Sequence, residues 1–388
     1  MKLTRTYKLS ILLALALCLS LAMSACGGSP ANNEPATTPD ESASVSDDGA
    51  TDDQSDWIDI EYTYATYLPD ANPMARFSIG AINEELAKVM PGVTITVYPS
   101  GTLLGQNDIY DGILTGTCDI GLVDYGTVMR RFPVSQLWFL PGAIDNARAI
   151  TVLEAFTEWG QTTSAAEYND TVLIWGTGNG PMCLYTRSKI SSIDDLKGKQ
   201  IRASAIYGST IAAYGAVQVT MDTSEVYEAM RNGMLEGTYN VLPAAANSNL
   251  DEVGHYALIN PGQTTLSGTL MSKRSLEKMP PSQQEAFLAC IETAFNRMTT
   301  AMEENEKGGR IAECVQNSEV EFMEGAVLEE FTKAGESLLN DYVKELDDQG
   351  LDGTGELAKI RELVAKYSNP YSWEDYKGNF FEDEFLFH

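Results

Sequence analysis

Residues Asp194 to Leu242 read DDLKGKQIRASAIYGSTIAAYGAVQVTMDTSEVYEAMRNGMLEGTYNVL. After the basic turn Lys197-Gly198-Lys199, Ile201 and Ala203 fall on one side of the chain and Gln200, Arg202 and Ser204 on the other, the period-two pattern of a strand. A helix through YGSTIAAYG, a strand VQVTM and a helix from Asp222 to Asn232 follow. Asp222 with Glu225 fits an N-terminal capping pair, and Gly233 fits the stop. The stretch is therefore an alternating α/β unit. Arg202 lies on the wet side of its strand, where an arginine needs no explanation beyond solvation. Any function for it has to come from the rest of the chain.

The same order is written upstream. IEYTYATY, VTITVYP and CDIGLVD read as strands, and ARFSIGAINEELAKVM and NDIYDGILTG as helices, giving βαβαβ. That order implies a mostly parallel sheet with right-handed crossovers, and such sheets take ligands beyond the carboxyl ends of their strands. TVLIWGTG and MCLYTRS, read as two strands, open the second series, so two α/β lobes are expected. Beyond TLMSKRSLEKMPPSQQEAFLACIETAFNRMTTAMEENEKGG the chain is mainly helical, with Pro280-Pro281 at a helix entry.

Residues 1–25 read as an export signal: basic Lys2, Arg5 and Lys8, the apolar run LSILLALALCLSLAM, then Ser24 and Ala25 before Cys26. The run is too short for a stable membrane-crossing helix. MSAC resembles a bacterial lipobox with Met23 where Leu is more usual, which implies acylation at Cys26. Residues 26–56 are then the lipidated cysteine and an acidic tether. From Gly27 to Asp56 there is no Lys or Arg and almost no apolar residue, so the segment buries too little to fold. Such a coil lets a folded domain range roughly 30 Å from its anchor.

The remainder, residues 57–388, is long enough for two cores. The formal net charge of −29 excludes nucleic-acid binding, which needs a basic face. It leaves room for a local cation to hold an anion, because salt screens over about 8 Å. Cys118, Cys183, Cys290 and Cys314 have no CxxC spacing, so buried free thiols are expected rather than a disulfide framework or a zinc site. His255 and His388 are too few for a His-based triad or a multi-His metal centre, and His255 beside Tyr256 reads as structural. GTGNG at Gly176–Gly180 resembles a dinucleotide loop, but PMCLYT continues it as a strand and offers no helix N-terminus to a pyrophosphate. No catalytic residue, metal or cofactor is expected. The alternative from another class is an anchored extracytoplasmic hydrolase using paired carboxylates, since acids are abundant and none is singled out.

Asp194–Leu242 resembles the extracytoplasmic solute-binding proteins of TRAP transporters, the dicarboxylate-transport P-subunit type. The resemblance lies in the DLKG turn, the Arg-bearing strand, Gly215-Ala216 before the next strand, SEVYEAM, a glycine turn in which Glu236 replaces the family's Asp, and Asn240. YPSGTLLG, GILTGTCDIGLVD and RFPVSQLWFLPGA resemble first-lobe segments of the same family. The resemblance implies a two-lobed periplasmic-binding-protein-like fold, each lobe a mostly parallel sheet flanked by helices, with a long helix connecting the lobes. Lobe I is expected at 57–179 with 266–305 returning to it, lobe II at 180–265 with 306–345, and a C-terminal extension at 346–388.

It also implies a role for Arg202: a two-pronged salt bridge to a ligand carboxylate, which a guanidinium fork suits and an ammonium does not. Asn240, Asp124, Tyr67, Gln106 and Thr223 fall at pocket positions of the family, and Tyr125 and Tyr207 are candidate walls. Several members carry a second Arg where Met182 stands beside Cys183, so one charge clamp and an apolar body to the ligand are expected. The implied partners are a small-molecule carboxylate, the membrane subunits of a TRAP permease and the membrane through the lipid anchor, with the chain a monomer. A binding protein for an ATP-driven transporter or a signalling receptor is the alternative within the class.

Overall fold

The computed structural model describes residues 56–69, 73–305, 309–369 and Glu374. The signal segment, Cys26, the tether before Asp56, and the last residues of the chain apart from Glu374 lie outside the described residues.

In chain order, β1 (Ile60–Ala65), α1 (Pro73–Val89), β2 (Val93–Tyr98), α2 (Ile109–Thr115) and β3 (Ile120–Asp124) alternate, followed by α3 (Tyr125–Val128) and α4 (Ala149–Thr162). The second series is β4 (Thr171–Thr186), β5 (Gln200–Arg202), α5 (Gly208–Ala213), β6 (Val217–Val219), α6 (Thr223–Arg231), β7 (Gly237–Val241) and α7 (Leu242–Asn247). Then come β8 (Tyr256–Ser272), α8 (Lys273–Leu276), α9 (Pro281–Asn305), α10 (Gly309–Gln316), β9 (Glu319–Phe322), α11 (Gly325–Asp348) and α12 (Gly353–Ser368). α6 opens with the capping box expected at Asp222 and Glu225.

All the described strands join one mixed sheet in the order β2-β1-β3-β8-β4-β7-β5-β6, with β9 beside β8. β1 is parallel to β2 and β3, and β5 is parallel to β6 and β7. These two parallel sets flank an antiparallel spine of β4 and β8. The two strands expected at TVLIWGTG and MCLYTRS are one 16-residue strand, β4, because β8 pairs with it over almost its whole length. Its register shifts between Gly178, Pro181 and Met182.

The spine explains GTGNG. A Cβ at Gly176 would lie 2.2 Å from Phe156, and one at Gly178 2.7 Å from Val152, so these glycines let α4 press onto β4. On the other side of the first half, Ile79, Ile82 and Leu86 of α1 share a core with Phe287 and Ile291 of α9. The 24-residue α11 runs across both halves. Its Phe331 stacks edge-on against Tyr214 at 4.8 Å, and its Tyr342 hydroxyl donates to the Pro133 carbonyl at 2.8 Å. Within residues 346–388, expected as an extension, α12 packs on α4, where Trp159 Nε1 donates to Glu356 at 2.7 Å.

Behind the register shift, fully buried Gln263 ties the halves together. Its Nε2 donates to the Phe139 carbonyl at 2.6 Å, and Tyr239 donates its hydroxyl to Oε1 at 2.5 Å. Among the described residues, no helix is long and apolar enough to cross a membrane.

Candidate functional site

Most of the site candidates gather at the carboxyl ends of parallel strands. Tyr67 follows β1, Asp124 ends β3, Arg202 ends β5, Asn240 is the next-to-last residue of β7, and Thr223 opens the helix after β6. Gln106 lies in the loop after β2. The two sets meet where a Cβ on Gly126, just after Asp124, would lie 3.8 Å from Ile206 Cγ2.

Arg202 is 8 % exposed. Its Nε donates to the Met221 carbonyl at 3.1 Å and its Nη2 to Thr223 Oγ1 at 3.3 Å. Nη1 has no hydrogen-bond partner among the described residues, and no carboxylate forms an ion pair with the guanidinium. Burial lowers its pKa from the ordinary arginine value, and the nearby charge of Asp222 works the other way. A buried cation held only by neutral acceptors retains donors for an incoming anion.

On the facing strand end, Asp124 accepts from Gly126 N at 2.9 Å and from Gln106 Nε2 at 2.8 Å. Burial raises its pKa above the usual carboxylate value against the pull of those two donors. Tyr67 and Tyr207, one from each half, both lie within electrostatic reach of Asp124. Burial is the main reason both phenols have raised pKa values. The Tyr67 hydroxyl approaches Ser267 Oγ at 3.4 Å, and Tyr207 donates to the Thr264 carbonyl at 2.8 Å. Asn240 is half-buried and turns its Oδ1 back to accept from Val241 N at 2.9 Å.

Two candidates sit differently. Tyr125 is fully buried, edge-on to Phe132 and Phe156, with its hydroxyl accepting from Tyr168 at 3.0 Å, so its side chain serves the aromatic core of the first half. Met182 is 1 % exposed and shares a core cluster with Tyr239 and Val241, whereas its neighbour Cys183 belongs to the cluster of Val226 and Ile259. Successive side chains of a strand point to opposite faces, which places the two residues in different cores. Glu236, the departure from the glycine-turn pattern, accepts from Ser188 N at 2.8 Å and pairs with Lys199 at 3.3 Å, so it braces the turn.

No sequence motif marks Ser267 or the Met221 carbonyl. Ser267 reaches Asp124 only through the pairing of β3 with β8, across more than a hundred residues. All four cysteines expected as free thiols are free and buried. No cluster of three or more potential metal ligands occurs among the described residues.

A sheet whose two parallel sets meet at an antiparallel spine, with charged groups unpaired where their carboxyl ends face each other, defines a two-sided binding protein. Residues 66–345 match the family described as bacterial extracellular solute-binding protein, family 7 (DctP), and the chain belongs to it. Among curated relatives, the uncharacterized protein YiiZ of Salmonella typhimurium is 25% identical over 238 residues, 60% of this chain and 72% of that protein. The C4-dicarboxylate-binding periplasmic protein DctP of Rhodobacter capsulatus is 23% identical over 259 residues, 64% and 75% of the two chains.

Solved structures share the fold. A TRAP periplasmic solute-binding protein from Desulfovibrio salexigens superposes with a TM-score of 0.70 at 22% identity, covering 80% of this chain and 97% of the other. A TRAP solute-binding protein from Rhodoferax ferrireducens, in complex with copurified benzoate, gives 0.67 at 20% identity, covering 81% and 100%. The family consists of extracellular or periplasmic binding proteins.

Proposed function

We propose that this chain captures an organic acid by closing two lobes around it, with Arg202 gripping the carboxylate, and delivers it to a TRAP-type permease driven by an ion gradient. The observation that carries the reading is the guanidinium itself: buried at the carboxyl end of β5, oriented by a carbonyl and a hydroxyl, without an anion. Leaving such a cation unpaired costs free energy that a bidentate carboxylate returns. Thr223 fixes the fork, and Asn240, Gln106 and Tyr67 are the neutral groups that complete the cleft. The benzoate in the Rhodoferax protein supports an acid of this kind. The protein performs no catalysis and acts as a monomer. The lobes divide where β4 changes register, and the paired stretch of β8 near Gln263 supplies the other half of the hinge.

Cys26 anchors the chain by acylation and residues 27–56 form the tether. Cys26→Ser therefore leaves a chain that binds ligand normally and is recovered outside the membrane fraction. Retention of the variant in membranes after signal cleavage contradicts the anchor.

The test of capture is a melting-temperature screen of organic carboxylates, followed by calorimetry of each hit on the parent and on Arg202→Ala. Removing one side of a buried charge pair costs about 2–5 kcal/mol, a loss of roughly thirty-fold to several thousand-fold in affinity. Equal affinity of the two proteins refutes the carboxylate grip.

A further inference from the structure

Gln218 lies in β6, the edge strand of the second half, and its side chain reaches over the turn that leaves β5. Its Nε2 donates to two successive carbonyls of that turn, Ser204 at 2.9 Å and Ala203 at 3.2 Å. Gly208 makes room for the amide, since a Cβ there would lie 2.6 Å from Gln218 Oε1. These contacts fall immediately beyond Arg202. The same turn carries Ile206, where the two parallel sets meet at Gly126, and Tyr207, which donates to the Thr264 carbonyl and lies within electrostatic reach of Asp124. Its backbone is secured by the Ala203 amide on the Val219 carbonyl at 3.2 Å and the Tyr207 amide on the Ser204 carbonyl at 2.9 Å, and the Gln218 amide adds two bonds to these.

We infer that Gln218 is a positioning residue for capture: by holding the Ala203 and Ser204 carbonyls it sets the turn that presents Arg202, Ile206 and Tyr207 to the ligand, without itself touching the ligand. The inference rests on the Arg202 reading above and adds to it a residue on a neighbouring strand. Two carbonyl oxygens converge on position 218, so the side chain there has to supply N–H donors and carry no negative charge, which a glutamine amide does. A turn left unheld has to be ordered when the ligand arrives, and that ordering is subtracted from affinity. A turn already held by Gln218 avoids the loss.

The test compares the parent with Gln218→Ala, which removes the amide, and Gln218→Glu, which keeps its shape and replaces the donor by an acceptor. Thr220→Glu, at an exposed position two residues on, is the control for charge alone. Benzoate, phenylacetate and propionate are titrated by calorimetry into each at about pH 8 and about pH 5, with Arg202→Ala as the control for the carboxylate grip. No Asp, Glu, Lys, Arg or His lies between Ala203 and Gln218. On the neighbouring elements Arg202 turns to Met221 and Thr223, Lys199 pairs with Glu236, and Asp222 caps α6. A carboxyl at position 218 therefore answers to the two carbonyl oxygens, which favour its protonated, donating form.

The expected result is that Gln218→Ala binds about three- to tenfold more weakly than the parent, with a melting temperature without ligand close to the parent's because the bonds lost are half-buried ones on an edge strand. Gln218→Glu should bind more weakly than the alanine variant at the higher pH. At the lower pH it should regain most of that loss relative to the parent, because the protonated carboxyl donates to one of the carbonyls. A side chain that only fills space gives no such recovery. Parental affinity in both variants at the higher pH, a deficit of Gln218→Glu that is the same at both pH values, or an equal and equally pH-dependent deficit in Thr220→Glu overturns the inference, and Arg202→Ala still decides the carboxylate reading on its own. If none of the three acids binds the parent, or Arg202→Ala binds them equally well, the carboxylate reading and this inference fall together.

Discussion

The β4–β8 spine and the carboxyl ends of the flanking strands are built from opposite materials. In the spine, glycines at 176 and 178 let α4 approach, Phe156 and Val152 fill the space, and Gln263 has both ends of its amide engaged. At the strand ends, Arg202 and Asp124 are charged, mostly enclosed and held only by neutral groups. The spine engages the whole Gln263 amide, but it also buries Trp175 Nε1, Thr171 Oγ1 and Thr269 Oγ1 without a hydrogen-bond partner among the described residues, so its hold on the fold comes from packing and the β4–β8 ladder. At the strand ends the charged groups keep donors and acceptors in reserve, and under the proposed function that reserve is what a ligand turns into binding free energy.

The largest effect expected from breaking this contrast is on the spine. Gly176→Val inserts three carbons where a single Cβ already falls 2.2 Å from Phe156, at or above the upper end of the range for overpacked cores, about 3 kcal/mol. The chain should melt well below the parent, and whatever remains folded should bind acids with parental affinity, read by denaturation and calorimetry. Parental stability would show that α4 does not press on β4 as described.

At the strand ends the order of effects reverses, with affinity changing and stability hardly moving. Arg202→Lys restores the charge without the fork and should lose about 1.5–3 kcal/mol of binding, the worth of one hydrogen bond to a charged group. Thr223→Ala removes the weaker of the two groups orienting the guanidinium and should cost about 0.5–1.5 kcal/mol, at most about tenfold in affinity. If Thr223→Ala weakens binding more than Arg202→Lys, the helix start rather than the fork governs recognition.

The smallest effect concerns Glu167, in the short turn before β4. It accepts from Val134 N at 2.8 Å and Ser135 N at 2.9 Å, and burial raises its pKa to about 7, with Glu356 adding to the rise. A carboxyl whose folded pKa is raised favours the folded state at low pH, and that contribution is lost as pH climbs from about 4.5 to about 7. Glu167→Gln should flatten the melting temperature across that window. An unchanged slope would assign the pH response to other groups.

How much of this was legible in the sequence depends on the range of the interaction. Arg202, read on the wet side of its strand, is buried like Ile201 and Ala203 on either side of it, whereas the capping box of α6 and the glycine stop after it are local and were readable from neighbouring residues. The joining of TVLIWGTG and MCLYTRS into one strand was not, because only the antiparallel partner β8, some eighty residues away, holds the kinked stretch in a single ladder. Met182 shows the same limit: its place in the pattern was legible, but the sheet face it points to depends on the register with β7. Ser267 beside Tyr67 and the Met221 carbonyl on Arg202 carry no motif at all, since a serine in a strand and a main-chain oxygen look alike everywhere.

The central claim is that the unpaired guanidinium at the end of β5 is what holds the ligand. Native mass spectrometry of the parent and Arg202→Ala, purified side by side and exposed to the same mixture of carboxylic acids, tests it most directly. The account predicts a small carboxylic acid bound to the parent and absent from the variant, with both chains equally folded. The same adduct on both proteins, or a bound molecule without a carboxyl group, would contradict it.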